Sequence, residues 1–419
     1  MTSASCARSN VTHEVSRPCP LCGHTSAELV FQQSFKALER GGPVDGYDVV
    51  VCAACGMAFA DGIPPQSEFD RYYWELSKYE YAHRGGKESE DDRNRLQALA
   101  ALLQPIIPDR SSRILEIGCA NGRLLSFLKD AGYGNVTGLD PSPGCARAAK
   151  LLYDVPVETG TVFDFHKGAC GYDFVVTLGV LEHIRDLKRA VQIIRDVTVD
   201  TGRVFVGVPD ASNLITQQDA PFQEFSTEHI NFFSPRSLQY SMEACGFRTI
   251  SCASVKLELH RGVLTPTVCG VFEHSTQSRT EFPYDSIGKE GLVRYVSECE
   301  AMDKQLRNKI RQAVAGRSVI VWGVGTHTRR LLANNVLNHS DISLFVDSNP
   351  KYQDQQLVGI PVLSPDRLAG HPEPILISSY AFQDEISEEI RERLRLPNEL
   401  ILLYDPSSAR VAEKRVPHD

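Results

Sequence analysis

The chain has 419 residues, too many for one ordinary hydrophobic core, so its length predicts two or three domains. With 42% hydrophobic and 23% charged residues, and no long polar low-complexity tract, the composition excludes a disordered or fibrous protein. A net charge of -9 gives no sign of the clustered basic surface that nucleic-acid binding needs, so a nucleic-acid partner is not expected.

Two features predict a cytoplasmic protein without a membrane partner. No apolar run approaches the roughly 20 residues of a membrane span, and the N-terminal sequence lacks the apolar core of a signal peptide. Of the 12 cysteines, four form two Cys-x-x-Cys pairs and the others are scattered singly. This is metal-site spacing rather than a secreted disulfide framework, so we expect a reducing compartment.

Residues 1–65 are predicted to form a small zinc-binding module. Cys19 and Cys22, and then Cys52 and Cys55, lie at turns marked by Pro or Gly on either side of a strand-like stretch. A two-residue gap lets both sulfurs of a pair face one ion, and four thiolates close a tetrahedral structural zinc site. One alternative is two unrelated pairs of buried thiols. A redox Cys-x-x-Cys motif is the other, but no thioredoxin-like βαβ unit surrounds these cysteines.

Residues 66–255 are predicted to contain a helical bridge and then a doubly wound α/β core. The bridge begins with an aromatic, charged stretch and ends with leucines and alanines at helical spacing. The core begins at RILEIGCANGRLLSFLKDAGYGNVTGLD, which alternates strand, Gly-rich turn, helix and strand. A parallel sheet with helices on both faces is the economical architecture for this pattern.

The C-terminal part is predicted to be a second Rossmann-like α/β domain. A connecting segment over residues 256–315 ends in an amphipathic helix at 292–315, and strands and helices alternate again over 316–419. The turn Trp322-Gly323-Val324-Gly325 and Asp347 resemble a dinucleotide site, but Thr328 replaces the third glycine. A redox cofactor is therefore not expected.

The Gly-rich turn over residues 116–122 is the best candidate for cofactor binding. It follows a buried strand and opens a helix, so its backbone amides can approach a polar ligand closely. Asp140 closes the next strand, where a carboxylate can accept both hydroxyls of a ribose. The pattern resembles the S-adenosylmethionine fingerprint of class I methyltransferases. The resemblance implies that Gly118 and Gly122 line the methionine part, Asp140 holds the ribose and Glu116 supports the amino-acid end.

The same resemblance continues along the core. It implies that Asp164, in GTVFDF, meets the adenine, and that Leu178 and His183 lie just past the fourth strand. Ligands of open α/β sheets bind at that edge. A helix-capping or core role for His183, and a nucleotide-binding fold of another kind, stay open as alternatives.

The stretch FQEFSTEHINFFSPRSL contains the candidate base. Glu228 and His229 lie in a polar turn ahead of a helix start at Ser234, so they can project from a loop. A histidine paired with a carboxylate suits general-base catalysis, because its pKa is near neutrality and the acid can fix its tautomer. A structural loop histidine is the alternative.

Over nearly its whole length the chain resembles the bacterial sugar C-methyltransferases of deoxysugar biosynthesis. The shared features are the four-cysteine module, YYWELSKY, the core with LEH, the EH turn, and the C-terminal GxG domain with VDSNP. The resemblance implies a nucleotide-linked ketosugar as small-molecule substrate. It makes His229 the base that forms an enolate, with Glu228, His183 and Tyr79 beside it in the pocket. The C-terminal domain would help to enclose the nucleotide, or be purely structural.

Two positions depart from that family's pattern. Ser226 stands where a tyrosine usually precedes the glutamate, and Glu75 stands where a second tyrosine is common. They indicate a different ring substitution or a different ketone. The nearby aromatic run either packs the zinc module against the core or lines the pocket; its members are Tyr72, Tyr73, Trp74, Tyr79 and Tyr81.

Two other functions compete with carbon methylation. One is O- or N-methylation of another small metabolite, in which the EH turn only shapes the pocket. The other is a scaffold protein with a degenerate methyltransferase core, against which the intact Gly118, Gly122 and Asp140 argue. The sequence does not indicate an oligomeric state.

Overall fold

Three β-sheets organise the chain. The computed structural model describes residues 12–38, 42–81, 84–165, 171–216, 219–260 and 263–404. Within these ranges the strands form a five-stranded, a seven-stranded and a six-stranded sheet. No helix of the described ranges combines the length and apolarity that crossing a bilayer would need.

The first sheet is antiparallel and contains the N-terminal strands. They are β1 (Thr12–Glu14), β2 (Ser26–Ser34), β3 (Gly46–Cys52) and β4 (Ala58–Asp61). They pair in sequence order. Val49, Val50 and Val51 of β3 are all fully buried, because the two faces of this strand contact two different hydrophobic clusters.

The second sheet contains the doubly wound core. Its region comprises α1 (Gln66–Leu76), α2 (Glu90–Leu103), β5 (Ile114–Ile117), α3 (Arg123–Asp130), β6 (Val136–Asp140), α4 (Pro143–Tyr153), β7 (Val157–Thr159), β8 (Tyr172–Leu178), α5 (Leu187–Val197), β9 (Thr198–Pro209), β10 (Asn231–Phe232), α6 (Pro235–Glu243), β11 (Phe247–His260) and β12 (Val263–His274). The strand order is β11-β12-β9-β8-β5-β6-β7. Strands β5 to β9 of this sheet run parallel. Strand β12 is antiparallel to both β9 and β11, so it is the one strand of this sheet, among the described residues, that runs in the opposite direction.

Helices cover both faces of the central strand β5. Ile114 packs in the cluster that includes α2 and α3, and Leu115 packs in the cluster that includes α5 and α6. All four residues of β5 are therefore buried, as expected for a parallel strand inside a sheet. The carboxyl ends of β5, β6 and β8 meet at one edge, where ligands of such sheets bind.

The core sheet extends beyond the predicted domain boundary at residue 255, which falls inside β11. The hairpin pairs with β9 in a register that sets Val268 opposite Val208. Register shifts in β11 interrupt its alternation, which is why the sequence pattern over this segment is irregular. The helix predicted at 292–315 is α7, which spans Ser286–Val314.

The third sheet forms the second Rossmann-like domain. Its elements are β13 (Val319–Trp322), α8 (Thr326–Ala333), β14 (Ile342–Val346), β15 (Gln356–Leu357), β16 (Ile360–Leu363), β17 (Ile375–Ile377), α9 (Gln383–Glu388) and β18 (Leu400–Leu402). The order is β15-β16-β14-β13-β17-β18, parallel apart from the β15–β16 pair. Its carboxyl edge faces the same cavity as the core sheet.

Candidate active site

The four predicted zinc ligands meet at one point of the N-terminal module. Their sulfur atoms all lie within 4.8 Å of one another. The Sγ atoms of Cys19 and Cys55 are 3.6 Å apart, and those of Cys22 and Cys52 are 3.5 Å apart. A tetrahedron with Zn–S bonds of about 2.3 Å has edges of about 3.8 Å. Four soft donors at nearly this spacing fit a closed structural zinc site.

The N-terminal module contacts the loop that contains the candidate base. Strand β10, two residues after His229, pairs with β4 and becomes the fifth strand of the first sheet. The buried guanidinium of Arg17 donates to the backbone oxygens of Ile230 and Arg185 and to the side chain of Asn231. The position of the EH turn therefore depends on the four-cysteine module.

The Gly-rich turn has the space and the unpartnered polar atom that a cofactor site needs. Gly118 has φ of +73°, and a Cβ there would lie 2.4 Å from Val180 Cγ2, so only glycine fits. Glu116 is buried, and its Oε2 has no hydrogen-bond partner among the described residues. Burial, and then the nearby Asp140, raise the pKa of Glu116 well above its usual value. These residues fit the amino-acid end of S-adenosylmethionine.

Asp140 lies at the end of β6, as predicted, and lines the cavity. Its two oxygens accept the backbone N–H groups of Ala120 and Ser142 at 2.8 and 2.9 Å. Burial raises the pKa of Asp140 to about 6 although these bonds oppose the rise. These bonds fix the Asp140 carboxylate beside the turn. Each of its two oxygens keeps a lone pair that can accept one more hydrogen bond.

Three further predicted cofactor residues differ in position. Leu178, at the end of β8, lines the cavity. Gly122 does not line it; with φ of +74° it lets the turn enter α3, and a Cβ there would lie 3.1 Å from Ala149 Cβ. Asp164 is exposed and its carboxylate caps the local turn by accepting the N–H and hydroxyl of Thr161. The structure therefore does not bring Asp164 into the site.

One large cavity connects the two Rossmann-like edges. It has a volume of about 1530 Å³ and is lined from Glu116 and Asp140 of the core to Gly323 and Asp347 of the third sheet. His229 and its predicted neighbours lie on its wall between these ends; the set is Tyr79, His183, Glu228 and His229. The structure thus brings together the residues expected to handle the substrate.

Glu228 is not the carboxylate that pairs with His229. Its Oε1 accepts the hydroxyl of Tyr72 at 2.9 Å, and its Oε2 lies 3.2 Å from Lys78 Nζ. Burial would raise the pKa of Glu228, but Lys78 and then His183 lower it to about 2. Glu228 is therefore a charged residue neutralised by Lys78, which corrects the pairing that adjacency in the sequence suggested.

His229 pairs instead with Glu224. Its Nδ1 lies 3.2 Å from Glu224 Oε2, which leaves Nε2 as the ring nitrogen available to the cavity. Burial lowers the pKa of His229, but Glu224, Glu182 and Glu228 together outweigh burial, with Glu224 first among them, so the pKa is raised above its usual value. The result is a partly buried histidine–carboxylate pair at a cavity wall.

His183 lies against His229 but has a different environment. The two rings are 4.9 Å apart at 66°. His183 Nδ1 is 3.0 Å from both the Glu228 carbonyl oxygen and the Tyr73 hydroxyl. Burial, and then the charge of His229, lower the pKa of His183 to about 3, so it stays neutral at physiological pH.

Sequence reasoning missed three titratable residues of this wall, which are Lys78, Glu182 and Glu224. The aromatic run did indicate Tyr72 and Tyr73, with packing or pocket lining left open; both line the cavity, whereas Trp74 is 55% exposed. Burial raises the pKa of Glu182 to about 7. The sequence does show an acid in FQEF, Glu224, and one in LEH, Glu182. Their spacing alone does not reveal which acid faces a histidine.

The sheet order and the Gly-rich turn with its strand-end acid define a class I methyltransferase fold. Residues 90–252 match the family described as "Methyltransferase domain", and residues 283–402 match the family described as "C-methyltransferase C-terminal domain". The chain is therefore an S-adenosylmethionine-dependent methyltransferase. No curated protein matches it significantly.

Solved methyltransferase structures resemble about half of the chain. The 1,6-didemethyltoxoflavin-N1-methyltransferase of Burkholderia thailandensis is 17% identical, with a TM-score of 0.39 over 53% of this chain and 96% of that one. The magnesium protoporphyrin IX methyltransferase of Synechocystis PCC 6803 is 12% identical, with a TM-score of 0.38 over 49% of this chain and 99% of that one. Likeness at this level carries no information about substrate.

Proposed function

We propose that this enzyme methylates a carbon atom of a nucleotide-linked ketosugar, with His229 as general base. The observation that carries the proposal is the His229–Glu224 pair at the wall of the cavity that begins at the cofactor turn. A carbon nucleophile must lose a proton before it can attack, whereas a hydroxyl or amine needs mainly orientation. The match to a C-methyltransferase C-terminal domain supports the same reaction.

The size of the cavity supports a substrate larger than a single sugar. Its volume of about 1530 Å³ exceeds the roughly 300–1,000 Å³ of a pocket for one small ligand. The core end of the cavity has Glu116 and Asp140 for the cofactor, which leaves the space toward Gly323 and Asp347 for a second molecule. A sugar near His229 with its nucleotide directed to the third sheet would use that space.

The residues of the wall have distinct roles in this reaction. Bound S-adenosylmethionine supplies an electrophilic methyl group. His229 Nε2 takes a proton from the carbon next to the ketone and becomes an imidazolium, and the electron pair of the broken C–H bond forms an enolate. The enolate carbon would be the nucleophile for that methyl group, whose bond to sulfur would break to leave a neutral thioether. His229 then returns its proton to solvent.

Hydrogen exchange tests this assignment. Nucleotide-linked ketosugars are incubated in deuterium oxide with the enzyme or with His229→Ala, with and without S-adenosylmethionine, and analysed by mass spectrometry. We expect deuterium uptake and a C-methylated product from the wild type and neither from His229→Ala. Methylation without exchange, at a rate that His229→Ala retains, would instead indicate O- or N-methylation.

We also propose that the four cysteines hold one structural zinc ion. Metal analysis of the purified protein should give one zinc per chain, and chelation should lower the melting temperature, because metal binding stabilises small modules. Since β10 joins the module to the EH turn, zinc removal should reduce turnover more than it weakens S-adenosylmethionine binding. Cys269→Ser, which changes a thiol outside the module, is the control. A metal-free protein with full stability would contradict the proposal.

A further inference from the structure

The loop before the EH turn contains a second acid that faces His229 from five residues upstream. Glu224 is buried, and its Oε2 approaches His229 Nδ1 at 3.2 Å. Glu228, the nearest acid in sequence, has its oxygens directed to Tyr72 and Lys78. We propose that Glu224 is the positioning residue of the general base, fixing the ring and tautomer of His229. This inference rests on the proposed function.

The loop that contains Glu224 is held from behind by α7. The Glu224 backbone N–H donates to the Tyr295 hydroxyl at 3.2 Å, and the Phe222 N–H approaches Cys299 Sγ at 3.1 Å. Phe222 has φ of +60°, a conformation that an aromatic residue rarely adopts. Its ring stacks on Phe31 of β2 with centroids 4.3 Å apart. Contacts with α7 on one side and with β2 on the other therefore hold the loop that carries the Glu224 carboxylate.

The other titratable groups around His229 do not replace Glu224. They come from the 3-10 turn after β8, from the segment after α1 and from the EH turn itself; they are Glu182, His183, Lys78 and Glu228. His183 has its Nδ1 engaged and stays neutral. Among the acids, Glu224 has the largest effect on the pKa of His229, ahead of Glu182 and then Glu228.

A carboxylate on Nδ1 has two consequences for a base that works through Nε2. It holds the proton on Nδ1, so that the lone pair is on the nitrogen available to the cavity. It also stabilises the imidazolium that forms when the substrate proton is taken, as in other histidine–carboxylate pairs. Loss of the charge should therefore affect both the rate of proton abstraction and its pH dependence.

The first measurement uses the free enzyme and no substrate. With ¹⁵N-labelled histidine, the ring shifts of His229 report its tautomer and pKa, and His229→Ala assigns the signal. We expect the Nδ1–H tautomer in the wild type, and in Glu224→Gln a pKa lower by about one pH unit. Glu228→Gln is the matched control and should lower it by less. An Nε2–H tautomer in the wild type, or a larger shift from Glu228→Gln, would overturn the proposal.

The second measurement is the rate of substrate deuterium exchange against pH. His229 accepts a proton only when neutral, so the rate falls as the pH drops through its pKa. Glu224→Gln should reduce the maximal rate about 10-fold or more and move this acid limb to lower pH. Glu224→Asp should restore part of the rate. If Glu224→Gln exchanges deuterium at the wild-type rate and its acid limb stays at the wild-type pH, the positioning role is refuted. No exchange by the wild-type enzyme would instead refute carbon methylation, and the tautomer measurement would then decide whether Glu224 positions His229.

Discussion

At the carboxyl edges of both Rossmann-like sheets, an aspartate accepts two backbone N–H groups. Asp140 accepts those of Ala120 and Ser142; in the third sheet Asp347 accepts those of Val324 and Asn349 at 3.0 and 2.8 Å. Burial raises the pKa of both carboxyls. Judged by the acid alone, the two edges are equivalent.

They differ in the polar groups beside the acid. In the core, buried Glu116 Oε2 has no hydrogen-bond partner among the described residues. In the third sheet, Thr328 Oγ1 lies 2.6 Å from the Gly323 carbonyl oxygen and 2.8 Å from Ser378 Oγ, and His327 Nδ1 lies 3.1 Å from the same hydroxyl. The two edges therefore differ in the unsatisfied buried oxygen beside the acid, which the core has at Glu116.

The largest expected difference between the edges comes from adding one methyl group. In Gly118→Ala the new Cβ would lie 2.4 Å from Val180 at a positive φ, whereas a Cβ at Gly325 has no neighbour within 4 Å. We expect Gly118→Ala to weaken S-adenosylmethionine binding about 100-fold or more, since it strains the turn. Gly325→Ala should change it less than about twofold. Calorimetric titration with S-adenosylmethionine measures the affinity of both variants. An equal loss of affinity in the two would contradict the expected difference between the edges.

Removing the charge of each acid should give a smaller contrast. We expect Asp140→Asn to keep the shape but lose the proposed charge-assisted acceptance of ribose hydroxyls, at a cost of about 1.5–3 kcal/mol, or roughly 10- to 100-fold in affinity. Asp347→Asn should leave S-adenosylmethionine affinity nearly unchanged. Should Asp347→Asn weaken binding as much as Asp140→Asn, the third sheet would also contribute to this ligand.

The smallest expected effect is on pH dependence. The ionised carboxylate of Asp140 is the better acceptor, and its pKa is raised to about 6. Binding is therefore strong above pH 6 and weakens as protonation proceeds below it, by about tenfold at pH 5 relative to neutral pH. Titrations at several pH values should show this slope in the wild type and a flatter one in Asp140→Asn. Equal slopes would assign the titration to another group, such as Glu116.

The four-cysteine cluster and the Gly-rich turn were predictable because local spacing determines their geometry. Two residues between cysteines, or a glycine turn between strand and helix, restrict the possible structures strongly. Asp140 followed from the same βαβ unit. Asp164 did not follow, because a nearby Thr161 offers its carboxylate a local capping interaction that a motif cannot exclude.

The partner of His229 could not be predicted from the sequence. Neighbours in an irregular loop point in directions set by tertiary contacts, so adjacency favoured Glu228. The deciding contacts come from distant elements: Lys78 and Tyr72 attract Glu228, and Tyr295 fixes the backbone of Glu224. The extent of the core sheet was missed for a related reason, since an exposed, bulged edge strand has weak alternation.

Helix α7 has 29 residues, a length of about 43 Å, and contributes to two hydrophobic clusters. Tyr295 and Cys299 pack against the loop that contains Glu224, and Leu306 and Ile310 pack in the third-sheet core. Because α7 packs in both clusters and its Tyr295 hydroxyl accepts the Glu224 N–H, we expect a tilt of the C-terminal domain to displace the Glu224 loop. We therefore expect a methyltransferase core excised for engineering or domain exchange to lose the support of the Glu224 loop, and with it the proposed positioning of His229.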